Sequence, residues 1–288
     1  MLLKNEKNVL PRDRKASRRI LVVGENAVKM MTVGGGSSSL KVAYEVSPLE
    51  GIRNRAGDTA EVVYVKGYES PAVREQDVKG AKAPEKKPID AEGLRAEAVK
   101  AAGKADAVIF VGGLNKNPNQ DCEGDDRLSY GLPYGQDELI AELIAANPNT
   151  VVLIVSGNAV EMPWAKAAPA IAQVWYGGSE AGNAIASVVF GDVNPSGKLP
   201  FTFPVRLGDN GAHALGDYPG NGGDVVYRED ILVGYRWHDT KKIKPQFAFG
   251  HGLSYTSFGY GKVTADKKTM TGAEAIIVSV PVTNTGSR

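Results

Sequence analysis

The fold of this chain is decided by residues 150–157, TVVLIVSG, in which six β-branched or aliphatic side chains precede a serine and a glycine. A short apolar run without polar alternation is typical of a strand that is buried on both faces. Four similar runs, rich in valine and isoleucine and ending in glycine, occupy residues 19–24, 60–67, 105–113 and 171–178. Together they predict a parallel sheet, because both faces of such a sheet are covered.

Three helix candidates lie between these runs, at residues 91–103, 135–146 and 180–190. The second has apolar side chains at positions 139, 140, 143 and 144, which is the spacing of one helix face. Alternating strands and helices predict an α/β fold, a mostly parallel sheet flanked by helices with flavodoxin-like layering, over residues 15–205. Right-handed crossovers are expected to bring the strand-end loops to one edge.

The remaining chain departs from this alternation. Residues 206–258 are rich in Gly, Asp, Tyr and Pro and are expected to wrap the α/β domain, which then covers residues 15–258. Residues 273–285 contain an alternating apolar set that runs into a turn. Because one hairpin cannot stand as a domain, residues 259–288 are predicted to begin an all-β module that is truncated.

Charge and hydropathy exclude several classes of partner. The 288 residues carry 34 basic and 33 acidic side chains, a formal net charge of +1. Such a balance lacks the excess positive charge with which proteins bind nucleic acid or an anionic membrane. The apolar runs are also too short to span a bilayer. We therefore expect an ordinary globular chain with neither partner.

Metal and nucleotide sites are also disfavoured. Cys122 is the single cysteine, the three histidines are scattered, and a calcium loop starting at Asp121 would need glycine and glutamate where Asp126 and Leu132 stand. The Gly/Ser run at residues 34–39 lacks the lysine of a P-loop. It is either a flexible linker or an ordered loop whose bare backbone lets a ligand approach. No metal or cofactor is predicted.

A carboxylate in a turn is the main catalytic candidate. Residues 121–127, DCEGDDR, open a long loop that closes with Leu132, Pro133 and Gln136. A turn at Gly124 can project Glu123 away from its own domain, where it could act on something bound elsewhere. The alternative is a solvated acidic loop without a function.

Several motifs in order resemble the C-terminal half of glycoside hydrolase family 3, the β-glucosidase and β-xylosidase family. They are residues 2–5 with 10–11, residues 35–38 with 47–51, residues 123–127 with 132–136, residues 194–200, and residues 249–255. The resemblance implies an α/β sandwich that residues 1–14 link to a preceding catalytic barrel. It also implies that residues 259–288 are the start of a fibronectin type III-like domain.

The resemblance further implies a retaining, exo-acting β-glycosidase that cleaves β-linked glucosides with two carboxylates. An aspartate on the barrel attacks the anomeric carbon, and Glu123 protonates the leaving oxygen. Asp126 and Arg127 then brace the loop by an ion pair or position the substrate. Gly35, Gly36, Ser37 and Ser38 are expected to contact the β-linked oligosaccharide or glycoside. Three aromatic residues could stack on a sugar ring, but at strand ends such residues are more often in the core or an interface, so they are left out of the site: Trp164, Trp175 and Tyr176.

The nucleophile motif of the family, Ser-Asp-Trp, does not occur in these residues. We therefore expect a fragment that is inactive without an N-terminal barrel from the same gene or a separate chain. Two alternatives stay open: a stand-alone carbohydrate-binding module and, on fold analogy alone, a flavodoxin-like ligand or nucleotide binder. The compartment is also open, being periplasmic or extracellular if the full-length protein carries an export signal.

Overall fold

The computed structural model describes residues 1–30, 32, 40–71, 88–116, 119–122, 125–220 and 223–288. These residues form two compact units, Met1–Leu253 and Ser254–Arg288.

The first unit is built on a six-stranded, mostly parallel sheet, which confirms the predicted fold class. Its described strands are, in chain order, β1 (Leu2–Asn5), β2 (Arg19–Val23), β3 (Glu61–Val65), β4 (Ala107–Gly113), β5 (Asp121–Cys122), β6 (Asp125–Asp126), β7 (Thr150–Val155) and β8 (Ala170–Gln173). The strand order of the sheet is β1-β8-β7-β4-β2-β3. All neighbours run parallel except β1, which pairs antiparallel with β8 at the edge. Without β1, this is the flavodoxin-like order.

Helices cover both faces of the sheet. They are α1 (Pro48–Ala56), α2 (Ala91–Ala102), α3 (Gln136–Ala146) and α4 (Ala181–Val189). Two shorter helices, α5 (Gly211–Ala214) and α6 (Tyr235–Lys241), follow the sheet in sequence, and 3-10 turns lie at Glu25–Ala27, Gly57–Thr59 and Leu207–Asp209. The three predicted helices are confirmed to within a residue at each end. Helix α1 packs against α4 and α2 against α3, and right-handed crossovers place these pairs on opposite faces.

Local sequence explains where the first two helices begin. Helix α1 has a proline at its first turn, and the Ser47 side chain caps it by accepting from the Glu50 amide at 3.2 Å. Helix α2 is capped by Asp90, whose Oδ1 accepts from the Gly93 amide at 2.9 Å. Each cap satisfies an amide that has no partner within the helix.

The core lies between the sheet and the two helix layers. Every residue of β4 and β7 is buried, as expected for strands covered on both faces. Three phenylalanines extend the same core, because the Phe201 and Phe203 rings stack at 5.4 Å and Phe247 meets Phe203 edge-on at 6.4 Å. Phe247 comes from the segment predicted to wrap the domain, which also contains α5 and α6.

The second unit has little buried surface of its own. It contains β9 (Phe258–Tyr260), β10 (Thr264–Ala265), β11 (Val278–Ser279) and β12 (Val282–Asn284), which form two antiparallel two-stranded ladders, β9 with β12 and β10 with β11. All residues of β10, β11 and β12 are exposed. The all-β character is confirmed, whereas the fibronectin type III-like assignment and the other domain boundaries stay predictions.

The described residues contain neither a membrane-crossing helix nor a metal-binding cluster. None of the described helices has both the length and the apolar character that crossing a bilayer requires. Within the same ranges, no cluster of three or more His, Cys, Asp or Glu side chains is arranged to hold a metal ion.

Candidate functional site

A cleft of about 600 Å³ lies at the carboxyl edge of the sheet. Strands β4, β7 and β8 are parallel, so the loops that follow them leave this same edge and form the cleft together. Its lining is mostly polar and aromatic and consists of Lys116, Gln120, Asp121, Arg127, Leu128, Ser129, Tyr130, Gly157, Asn158, Tyr176, Leu207, His213 and Tyr218. The last three residues come from the segment at 206–258, which closes one side of the cleft.

The short hairpin of β5 and β6 stands in the loop after β4. Asp121 pairs with Asp126 and Cys122 with Asp125 in antiparallel register. Glu123 and Gly124, the two residues between these strands in sequence, lie outside the described residues, and Asp126 is described only in its backbone. The hairpin that flanks Glu123 is therefore located at the cleft, while the predicted role of Glu123 stays a prediction.

The Asp121 carboxylate joins three loops. Its Oδ2 accepts hydrogen bonds from the Gly157 amide at 2.6 Å and from the Tyr176 hydroxyl at 2.8 Å. Gly157 follows β7 and Tyr176 follows β8, so one carboxylate ties the start of the hairpin to both neighbouring loops. Burial raises the pKa of the Tyr176 phenol, and the negative charge of Asp121 raises it further. Lys116 Nζ lies 3.9 Å from the centroid of the same ring, a cation–π contact.

Arg127 holds the other end of the hairpin. Its Nη2 donates to the carbonyl of Ala159 at 2.5 Å, and its guanidinium carbon lies 5.5 Å from the centroid of the Tyr130 ring. Burial lowers the pKa of Arg127, and the charge of Asp121 acts in the opposite direction. Arg127 is thus bonded to the loop after β7 through a backbone carbonyl, and its predicted loop-bracing role stays a prediction. The predicted ion pair with Asp126 stays a prediction, because the Asp126 side chain lies outside the described part of the structure.

Buried amide side chains fix the backbone where β4 ends. Gln136 is fully buried, and it accepts from the Gly113 amide at 2.7 Å and donates to the Gly113 carbonyl at 2.9 Å. Gln120 accepts from the Asn115 amide at 2.9 Å and donates to the Tyr134 hydroxyl at 2.7 Å. These bonds satisfy backbone groups where β4 ends, so the loop after it starts from a defined geometry.

Apart from Tyr176, the other residues that the sequence singled out are either outside the described residues or outside the cleft lining. Gly35, Gly36, Ser37 and Ser38 lie outside the described residues. Trp164 is buried with its Nε1 donating to Asp137 at 2.8 Å. Trp175 is partly buried against the main core, where it meets Phe201 edge-on at 5.9 Å.

Most residues of the cleft lining were not predicted as site residues, and Lys116, Asp121 and Tyr176 are the three that bring charged or aromatic groups together there. Tyr176, which the sequence prediction left out of the site, lines the cleft beside Asp121. The available signal was positional, because each of the three follows a parallel strand, and the carboxyl ends of such strands meet at one edge. Carboxylate, ammonium and aromatic groups around one cleft suit a ligand that combines hydroxyl groups with a ring face.

Known proteins match the chain over almost its whole length. Residues 1–255 match the model of the glycosyl hydrolase family 3 C-terminal domain. Beta-glucosidase BoGH3A from Bacteroides ovatus is 52% identical over 287 residues, which are 98% of this chain and 37% of that protein. Thermostable beta-glucosidase B from Acetivibrio thermocellus is 39% identical over 99% of this chain and 35% of its own length. The chain thus spans little more than a third of these curated relatives.

Solved structures agree with the sequence matches. DesR, a beta-glucosidase from Streptomyces venezuelae in complex with D-glucose, superposes with a TM-score of 0.86 at 30% identity, covering 100% of this chain and 47% of that one. A beta-glucosidase from Kluyveromyces marxianus superposes with a TM-score of 0.84 at 28% identity, covering 100% of this chain and 50% of that one. In each case the similarity extends over the whole of this chain and half or less of the relative.

Proposed function

The chain belongs to glycoside hydrolase family 3, and on this premise we propose that it is the acid/base-bearing domain of a retaining, exo-acting enzyme that hydrolyses β-linked glucosides. Glu123 is the general acid and base, and a barrel domain in the same polypeptide or a partner chain provides the nucleophilic aspartate. Two facts support the substrate class: the matched relatives are named beta-glucosidases, and one solved relative holds D-glucose.

The observation that carries this proposal is the anchoring of the hairpin on both sides of Glu123. Asp121 precedes Glu123 and is bound to the loops after β7 and β8, while Arg127 follows it and is bound to Ala159. A retaining glycosidase needs its two carboxyl groups roughly 5 to 5.5 Å apart. When the second carboxyl group belongs to another domain, the loop bearing the first must be held rigidly at an open edge. The bonds of Asp121 and Arg127 at the cleft support this proposal.

The proposed mechanism divides the work between two domains. In the first step the barrel aspartate attacks the anomeric carbon while Glu123 donates its proton to the leaving oxygen. In the second step Glu123, now a carboxylate, removes a proton from the water that releases the sugar. This chain provides the proton transfers but cannot form the glycosyl intermediate, because the nucleophile is on the barrel.

The first test compares the chain with and without a barrel. The isolated chain should release no glucose from β-glucosides, whereas the chain joined in one polypeptide to a family 3 barrel should turn over. Steady-state hydrolysis of an aryl β-glucoside measures both. Turnover by the isolated chain that is lost on Glu123→Ala would show that this chain contains a nucleophile and would refute the division of labour.

The second test identifies the role of Glu123 in the barrel-joined enzyme. Glu123→Ala should lower turnover of alkyl β-glucosides and cellobiose by about 10² to 10⁴, the usual contribution of a positioned acid/base. An aryl glucoside with an acidic phenol needs little protonation, so its glycosylation step should survive. Added azide should restore turnover and yield a β-glycosyl azide, because azide needs no general base.

A matched control is Glu97→Ala, which removes an exposed carboxylate on α2 outside the cleft lining and should leave both kinds of substrate unaffected. If Glu123→Ala slowed good and poor leaving groups equally and azide changed nothing, Glu123 would not be the acid/base. Glucose binding by the isolated chain, unchanged when a barrel is added, would favour the carbohydrate-binding module instead. A nucleotide-dependent rise in melting temperature would favour the flavodoxin-like binder.

A further inference from the structure

We infer that Asp121 is a positioning residue, which holds the hairpin of β5 and β6 in the orientation that acid/base chemistry requires. This inference rests on the proposed function of Glu123. Asp121 lines the same cleft but acts through the hairpin, because its carboxylate is engaged by protein donors on two other loops.

The contacts of Asp121 define a clamp, formed by Asp121, Gly157 and Tyr176. Both donors share the single oxygen Oδ2, at 2.6 Å from the Gly157 amide and 2.8 Å from the Tyr176 hydroxyl. The Asp121 amide adds a third bond, donated to the carbonyl of Asn115 at 3.1 Å. Hydrogen bonds to an ionised carboxylate are about twice as strong as neutral ones. The clamp therefore ties β5 to the loops after β7 and β8 and to its own loop.

The partners of the clamp are themselves held in place. The Tyr176 ring is partly buried, and Lys116 Nζ lies 3.9 Å from its centroid. Gly157 directly follows Ser156, whose hydroxyl donates to the Asn158 carbonyl at 2.7 Å and accepts from Gln173 Nε2 at 2.8 Å. The positions of both donors are thus set by β7 and β8, so the clamp transmits the geometry of the sheet to the hairpin.

The two ends of the hairpin use different chemistry. Arg127 lies over the Tyr130 ring and donates a hydrogen bond to a backbone carbonyl, while its Nη1 has no hydrogen-bond partner among the described residues. Asp121 accepts two charge-assisted hydrogen bonds whereas Arg127 donates one, so Asp121 provides the stronger attachment. Misplacing a catalytic group by about 1 Å can reduce the rate by about 10². Loss of the clamp should therefore act on proton transfer more than on sugar binding.

The test uses the barrel-joined enzyme with Asp121→Ala, Asp121→Asn and Tyr176→Phe. Asp121→Ala should lower kcat for alkyl β-glucosides by about 10- to 100-fold. Its KM should change by less than about threefold, and glycosylation by an aryl glucoside with an acidic phenol should be nearly unaffected. Asp121→Asn keeps an acceptor oxygen and should recover most of the activity. Tyr176→Phe removes one bond and should show the same leaving-group pattern with a smaller amplitude.

The control is Asp58→Asn, an exposed aspartate in the turn before β3, at the opposite edge of the sheet, and it should be silent. Equal losses on both leaving groups, in Asp121→Ala or in Tyr176→Phe, would overturn the positioning role. If Asp121→Ala fails to fold, the leaving-group dependence of kcat in Tyr176→Phe and Asp121→Asn tests the positioning role instead. Glu123→Ala assayed in parallel separates the two hypotheses. If it shows the acid/base pattern and the clamp variants do not, only this inference fails.

Discussion

Single buried polar side chains at the carboxyl edge of the sheet satisfy backbone groups that the strands leave unpaired. Gln136 is the clearest case, because both atoms of its amide bond the two polar groups of Gly113 in a fully buried position. An unsatisfied buried donor or acceptor costs about 1–3 kcal/mol. The amide of one side chain thus contributes to the stability of β4 and fixes the backbone where the loop after β4 begins.

Gln136→Leu should therefore lower the free energy of unfolding by about 2–4 kcal/mol, because two buried groups lose their partners. Urea denaturation followed by circular dichroism measures the change. Gln246→Leu, at a partly exposed position, is the matched control and should shift stability by less than about 0.5 kcal/mol. Similar losses in the two variants would mean that the bonds to Gly113 contribute little.

Tyr176 should make the stability of the fold depend on alkaline pH. Burial, and next the Asp121 charge, raise the pKa of its phenol in the folded state, whereas in the unfolded chain it titrates near the ordinary value of about 10. A raised folded-state pKa gives stability that is complete below pH about 10 and is lost as pH rises towards the folded-state pKa. Urea midpoints should fall above pH about 10, and less steeply in Tyr176→Phe. Parallel curves for the two proteins would contradict this linkage.

At the scale of elements, helices α1 and α4 meet through glycines. A Cβ on Gly51 would lie 2.1 Å from the Gly182 carbonyl oxygen, and a Cβ on Gly182 would lie 2.1 Å from the Ser47 carbonyl oxygen. The two helix backbones are therefore in direct contact, closer than any side chain allows. This approach fixes how α4, which follows β8, sits beside α1, which follows β2.

Gly51→Ala should destabilise the protein by about 1–3 kcal/mol, because the added methyl group forces two backbones apart. Gly103→Ala is the matched control. Gly103 has helical dihedral angles. A Cβ added to it would lie 3.9 Å from its nearest neighbour, the Lys100 carbonyl oxygen, which is an ordinary van der Waals distance. That variant should be neutral or more stable by about 0.4–1 kcal/mol. Thermal or urea unfolding of both variants tests the contrast, and equal stabilities would show that the helices can separate without cost.

At the scale of the whole molecule, the two compact units differ in how their strands are protected. Strands β4 and β7 are buried throughout, whereas β10, β11 and β12 are exposed and each pairs on one side only among the described residues. Isolated two-stranded ladders are marginally stable in water. The first unit therefore has a closed core, and the second has a pair of ladders without one.

Native-state hydrogen exchange should separate the units. Amides of β4 and β7 should exchange only through global unfolding, whereas those of β9 to β12 should exchange by local opening at much lower free energy. Mass spectrometry of peptides from 105–115 and from 254–288 provides the comparison. Equal protection of the two sets of peptides would contradict a second unit that lacks its own core.

The sequence by itself determined the buried strands and three of the helices. Their signals are local: a run such as residues 150–155 is apolar whatever surrounds it, and the stripe at Leu139, Ile140 and Leu143 needs only one helix. Ordered motifs spread over the chain also pointed to the family. Each of these signals can be read from neighbouring residues, since periodicity and turn chemistry depend on local sequence.

Only the tertiary structure decided which distant residues meet. Leu2–Asn5 joins the sheet by pairing with β8, far along the chain, and the Asp121 carboxylate binds Tyr176 across 55 positions. No periodicity in either segment encodes such a partner. These contacts arise because the crossovers set the strand order, and the strand order brings the loops after β4, β7 and β8 to one edge, where a carboxylate and a phenol come within hydrogen-bonding distance.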